Sequence, residues 1–185
     1  MEDSKIIGLY WARDEDAIPA SDEKYGELCR TLSRNILGSP EDAEECVNDT
    51  WHRAWNAMPP QWPNCLGGFF VALTRNLSLD RWRKRRAEKR GNGLDVLLSE
   101  LEDCLPVVGS VEDTVEAHEL AQAIDRWLLS LAPADRVAFL RRYWYSQRVD
   151  QVARQAGCTP NTMTKRLGRL RESLHHALEQ EGISI

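Results

Sequence analysis

Residues 69–90 read FFVALTRNLSLDRWRKRRAEKR. Eight of these positions are Lys or Arg and only Asp80 and Glu88 are acidic, in a chain whose formal net charge is −5. Solubility alone gives no reason to gather positive charge in one stretch of an acidic protein. Polyanion binding does, because each phosphate neutralised releases condensed counterions. Phe69 and Phe70 open the stretch and Trp82 lies inside it. Basic side chains interleaved with aromatic rings suit a nucleic acid that is partly single-stranded, whose bases can stack on them.

The flanks of this stretch set its form. Phe70, Leu73 and Leu77 recur at helical spacing, which predicts a helix from about Gly68 to Arg90 with those three on its packed side. Gly91 and Gly93, either side of Asn92, stop it. Before it, PPQWPNCLGG (59–68) reads as loop. Upstream, Val47, Trp51, Ala54, Trp55 and Met58 recur at three and four. Ser39 is the expected N-cap of that helix, Pro40 its first residue and Asp42 part of an acidic first turn. Pro59 and Pro60 end it. No stretch alternates like a strand.

Charge divides the chain into four blocks: net −7 over 1–60, +6 over 61–92, −9 over 93–135 and +5 over 136–185. Two basic blocks separated by an acidic one point to two nucleic-acid contacts. Residues 92–112 read as an acidic linker with a short helical turn at Val96–Glu102. A second helical domain follows, with Ala117, Leu120, Ala121, Ile124, Trp127, Leu128 and Leu131 forming one apolar stripe. Pro133 opens a helix carrying Val137, Leu140, Tyr143 and Trp144. The fold class expected is all-α: two small helical domains, 1–91 and 113–185, joined by the linker 92–112.

The last block contains VDQVARQAGCTPNTMTKRLGRLRESL (149–174). Ala153, Gly157 and Met163 fit a helix-turn-helix: a small residue where two helices cross, glycine in a left-handed turn, an apolar residue on the second helix. Thr159 is the expected N-cap and Pro160 a first-turn residue. Met163, Leu167, Leu170 and Leu174 are expected inside. Asn161, Thr162, Lys165, Arg166 and Arg169 are expected outside, on a face suited to a major groove.

No run approaches the roughly 18 to 20 apolar residues that span a membrane. The N-terminal residues lack the basic and apolar regions of a signal peptide. The five cysteines (Cys29, Cys46, Cys65, Cys104 and Cys158) form no CxxC and no metal spacing with histidine, and read as reduced thiols. His52, His118, His175 and His176 do not converge. There is no phosphate-cradling glycine loop and no nucleophile–base pairing. The expectation is a cytoplasmic protein with no cofactor and no catalytic residues, rather than a nuclease.

In this order and spacing, KYGELCRTLSRNILGSPEDAEECVNDTWHRAWNAMPP (24–60), LTRNLSLDRWRKRRAEKR (73–90) and the helix-turn-helix after LRRYWY (140–145) resemble an extracytoplasmic-function (ECF) sigma factor, the class with regions 2 and 4 only. The resemblance implies a subunit of bacterial RNA polymerase that binds promoter DNA. Asp42, Glu44, Glu45, Asn48 and Asp49 would dock on the β′ clamp helices of core polymerase, with the β flap a further contact. Gln61, Trp62, Asn64 and Cys65 would shape a pocket for a flipped base of the −10 element, with Asn76 and Asp80 near it. Arg75, Arg81, Arg83, Lys84, Arg85 and Arg86 would hold phosphates. Asn161, Thr162, Lys165, Arg166 and Arg169 would read the −35 element. Glu100, Glu102 and Asp103 would lie in an acidic strand along a route that nucleic acid later takes. An anti-sigma factor is a further expected partner.

Three features have a second reading. Asp80 can serve as an intrahelical ion-pair partner, Trp82 as a packed ring, and Trp51 and Trp55 as core. Arg148 stands where many relatives carry a small N-cap residue, leaving Ser146 as the substitute. The alternative function is a stand-alone helix-turn-helix regulator, which would leave the basic stretch 69–90 unexplained.

Overall fold

The computed structural model describes residues 1–86, 93–102 and 114–183. Among the described residues there are nine α-helices and no strand. The chain forms two compact units, Met1–Gly93 and Leu94–Ile185.

In the first unit, α1 (Asp3–Trp11), α2 (Ala17–Leu37), α3 (Pro40–Ala57) and α4 (Leu66–Arg86) surround one core. Helix α2 ends at Gly38, whose φ of 71° places it in the left-handed region open to glycine, and its N–H donates to the Arg34 carbonyl. Ser39 caps α3 by accepting from the Asp42 N–H at 3.2 Å, with Pro40 next. The core is aromatic where α1, α3 and α4 meet. Phe70 lies 5.0 Å from Trp51, 5.6 Å from Tyr25 and 6.3 Å from Tyr10 between ring centroids.

Where α2, α3 and α4 cross, the seam is small and polar. Thr50 Oγ1 and Thr74 Oγ1 lie 3.1 Å apart, Ser78 Oγ and Ser33 Oγ 3.0 Å apart, and Cys46 Sγ is 3.2 Å from Ser78 Oγ. Thr50, Thr74 and Ser78 also donate to carbonyls four residues back. Each buried hydroxyl is thereby satisfied, which removes the cost of its desolvation. Small side chains here let the three backbones come close.

The basic helix starts at Leu66, two residues before the expected position, because Leu66 is fully buried and adds a turn to the apolar face. Phe70 and Trp82 are core residues, 0% and 6% exposed. Phe70 is on the packed side as expected, and Trp82 follows its packed reading, so neither offers stacking surface. A large ring gains more from full burial than from a half-wet surface.

The second unit contains α5 (Gly93–Glu102), α6 (Thr114–Ser130), α7 (Pro133–Phe139), a π-helical turn (Leu140–Trp144), α8 (Val149–Gln155) and α9 (Pro160–Gln180). Helix α5 occupies much of the stretch expected as linker. Leu97 is buried, and Glu100 accepts from Arg142 Nη2 at 2.6 Å and from the Tyr143 hydroxyl at 3.0 Å. Glu100 is therefore helical rather than in an extended acidic strand; Asp103 lies outside the described residues. Burial pushes the Tyr143 hydroxyl up to about 12.

Trp127 packs edge-on against Phe139 at 4.8 Å, and Phe139 against Tyr143 at 4.6 Å. The expected α6 stripe shifts. Ala117 and Ala121 are exposed, whereas Ala123 and Trp127 are buried. Trp127 sets the phase, its indole N–H donating to Ser173 Oγ on α9. The π turn adds a residue to the helical repeat after α7. Phe139, Arg142 and Tyr143 consequently face inward while Val137 and Trp144 remain 46% and 43% exposed.

Candidate nucleic-acid interface

Helix α4 displays its charge on two faces. Asn76, Asp80 and Arg83 follow at i, i+4 and i+7 and are all exposed, as is Lys84. Asp80 accepts from Arg83 Nη1 at 3.1 Å, as its second reading expected. Arg81 and Arg85, also four apart, lie on the face toward α3. Arg81 bridges Glu45 at 3.0 Å and Asp49 at 2.5 Å, and Arg85 pairs with Asp42. Arg75 is half-buried, and burial followed by the nearby Arg83 pulls its guanidinium below the usual range. The Arg86 side chain lies outside the described residues.

The acidic face of α3 is thus already occupied from within the molecule. Glu44 pairs with Arg30 of α2 at 2.8 Å. Hydrogen bonding from Ser39, then from Arg85, holds the Asp42 carboxyl below its ordinary range. Asn48 is exposed. Four of the five residues expected to meet polymerase are therefore paired with arginines, two of which were expected to hold DNA. Side-chain exposure of 71% at Glu45 and 53% at Asp49 keeps these pairs in high dielectric. Such pairs contribute about 0–1 kcal/mol each, so an outside partner displaces them at little cost.

The loop between α3 and α4 carries Gln61, Trp62, Asn64 and Cys65, all exposed. Trp62 is 54% exposed and leans on Trp11 of α1 at 5.6 Å.

In the second unit, α8 and α9 form the helix-turn-helix. Ala153 and Met163 are fully buried, and Gly157 between them has φ 67°. Thr159 accepts from the Thr162 N–H at 3.2 Å, with Pro160 at the first turn. Leu167, Leu170 and Leu174 are buried, as expected. At the start of α8, Ser146 does not act as the cap: its φ is 52° and its Oγ makes no hydrogen bond among the described residues. The Gln151 side chain instead accepts from the Arg148 N–H at 3.1 Å, satisfying one of the donors that open a helix.

Asn161, Thr162, Lys165 and Arg169 are exposed and Arg166 half-buried. Thr162, Lys165, Arg166 and Arg169 line, with Asp135 and Leu170, a pocket of about 490 Å³. Asp135 of α7 accepts from Arg166 Nε at 2.5 Å. The sequence gives no local sign of this contact, which joins positions 31 apart.

Residues 23–88 match Sigma-70 region 2, and residues 121–174 match Sigma-70, region 4. Together the matches span well over half of the chain, in the order that the resemblance required. The chain is a sigma factor of the sigma-70 family. Such a subunit binds core RNA polymerase and recognises promoter DNA. No curated protein matches the chain. In this sigma factor, region 2 spans most of α2, all of α3 and the described part of α4. Region 4 spans most of α6 and continues through α8 into α9. Helix α1, which carries Trp11, precedes the region 2 match. Among the described residues, no helix is long and apolar enough to cross a membrane and no cluster of His, Cys, Asp or Glu is placed to hold a metal ion.

Proposed function

We propose that this sigma factor is of the ECF class, with regions 2 and 4 only, and that it both recognises and opens its promoter. It acts in the cytoplasm as a non-enzymatic subunit of polymerase, with an anti-sigma factor as a second protein partner. The observation that carries this reading is the presence of two exposed basic surfaces of different kinds, one on each unit. In the first unit, Asn76, Arg83 and Lys84 follow a loop with an exposed aromatic ring, a combination suited to single-stranded DNA. In the second, Asn161, Lys165, Arg166 and Arg169 project from a helix-turn-helix, suited to duplex.

Asp42, Glu44, Glu45, Asn48 and Asp49 dock on the β′ clamp helices. Basic side chains there take up carboxylates that Arg81 and Arg85 hold in the free protein, releasing both guanidiniums toward DNA phosphate. Docking and −10 binding reinforce each other through this exchange. Gln61, Trp62, Asn64 and Cys65 receive a base unstacked from the −10 element. Unstacking costs a few kcal/mol, and ring stacking returns about 1–3 kcal/mol per base. Region 4 contacts the β flap while reading the −35 element.

Reconstitution with bacterial core polymerase and run-off transcription on a pool of genomic fragments tests this reading. The expected result is transcripts that require both core and this chain, from fragments sharing two motifs at fixed spacing. Stable DNA binding without core, and no transcription with it, would replace it with a stand-alone regulator.

A further inference from the structure

We infer that Trp11, on the helix preceding region 2, completes with Trp62 an aromatic cleft that receives one unstacked DNA base. The inference deepens the promoter-opening reading above and rests on it. Tyr10, Trp51, Phe70 and Trp82 of the same unit are buried, whereas Trp11 and Trp62 remain 42% and 54% exposed while touching each other. Their planes meet at 56° with centroids 5.6 Å apart, so the rings pack tilted against each other and each keeps part of its surface open to solvent.

Helix α1 is fastened to the loop that bears Trp62. The Trp11 indole N–H donates to the Gln61 carbonyl at 3.2 Å, and Arg13 Nη1 donates to the Trp55 carbonyl at 2.6 Å. Arg13 adopts φ 56°, unusual for a non-glycine residue, and its guanidinium lies 5.4 Å from the Trp55 ring centre. Helix α1 is itself fixed by buried Ile6, Ile7 and Tyr10, and by Asp3, which accepts from Lys24 and Tyr25 at 2.6 Å each. Trp11 therefore holds its place before DNA arrives.

Charge distinguishes a base from a phosphate as the occupant. Asp14, Glu15 and Asp16 follow Arg13 directly and are exposed, so this corner is not a cationic patch. A flat neutral base needs ring faces and hydrogen-bonding amides, which Trp11, Trp62, Gln61 and Asn64 supply. Stacking of this kind releases no counterions, so its contribution is insensitive to salt.

The test uses holoenzyme and a labelled single-stranded oligonucleotide with the non-template −10 sequence of a promoter found by run-off. Each nucleotide is replaced in turn by an abasic spacer. For the unaltered chain, one position is expected to cost about tenfold in affinity, the size of a modest ring–base stack. With Trp11→Leu, which keeps apolar cover but no flat ring, that penalty should largely vanish at both low and high salt, with core binding unchanged. Trp11→Phe should restore it part-way, and serves alone if Trp11→Leu does not fold. A full penalty retained in both variants, or an equal loss at every position, would overturn the inference. Failure of the promoter-opening reading shows earlier and separately, as absence of single-strand binding by the unaltered holoenzyme.

Discussion

Arg81 and Arg83 are two residues apart and do different work. Arg83 faces outward beside Asp80, and Arg81 faces α3 between Glu45 and Asp49. Arg83→Ala with Arg86→Ala should weaken promoter opening, read by permanganate reactivity, and leave core binding in a pull-down intact. Arg81→Ala removes the cover from two carboxylates, so core binding should hold or tighten while −10 affinity falls. Its cost in stability should stay within about 2 kcal/mol, since it removes two pairs whose carboxylates are exposed. In region 4, Arg169→Ala should lose about 1–3 kcal/mol on its own −35 element and little on a scrambled one, if it reads a base. Asp135→Ala should do the opposite. It frees Arg166 and removes a negative charge from the face proposed to meet DNA, so affinity for scrambled duplex should rise and the margin between the two narrow. Filter binding on both duplexes measures each. The outward residues of α9 were legible from spacing alone. Asp135 was not, because a partner 31 residues away leaves no periodic trace.

At the scale of elements, the turn of the helix-turn-helix and the helix after it make opposite demands on glycine. Gly157 has φ 67°, where a side chain costs about 1–2 kcal/mol. Gly168 lies within α9, where an added Cβ would meet only an Arg171 nitrogen at 4.0 Å. Gly157→Ala should lower the melting temperature of the second unit, and Gly168→Ala should raise its stability by up to about 1 kcal/mol. Acid should loosen α1. Hydrogen bonds from Lys24 and then Tyr25 hold the Asp3 carboxyl below its ordinary range. Its folded pKa is depressed, so the stability it contributes is present above the unfolded value near 4 and is lost as pH falls through the folded one. Asp3→Asn should flatten that part of a melting-temperature profile. The caps at Ser39 and Thr159 and the turn at Gly157 were readable because each depends on neighbours in sequence. The phase of α6 and the inward face after α7 were not, since Trp127 docking and a π turn decide them through tertiary packing.

For the whole molecule, composition already separated two basic regions from two acidic ones, and the all-α class followed from helical periodicity. What it did not give was the allegiance of residues 94–102. Leu97 and Glu100 belong to the second unit, Glu100 closing over the buried Arg142. A fragment beginning at Gly93 should therefore melt well above one beginning at Thr114. The difference should be about 1.5–3 kcal/mol, the worth of burying Leu97, since removing α5 opens Arg142 to water and leaves it bonded to the Gln147 carbonyl. Chemical denaturation of the two fragments measures it.

The crossing of α3 carboxylates with α4 guanidiniums also shapes how the lineage can drift. A carboxylate lost at position 42 takes the Asp42 pair from Arg85, and loss at both 45 and 49 takes both of these pairs from Arg81. Related chains should therefore exchange these charges together, even where polymerase and promoter stay the same. Correlated change between the two helices would record an internal bargain, and a reader of such correlations would mistake it for two outside partners evolving in step.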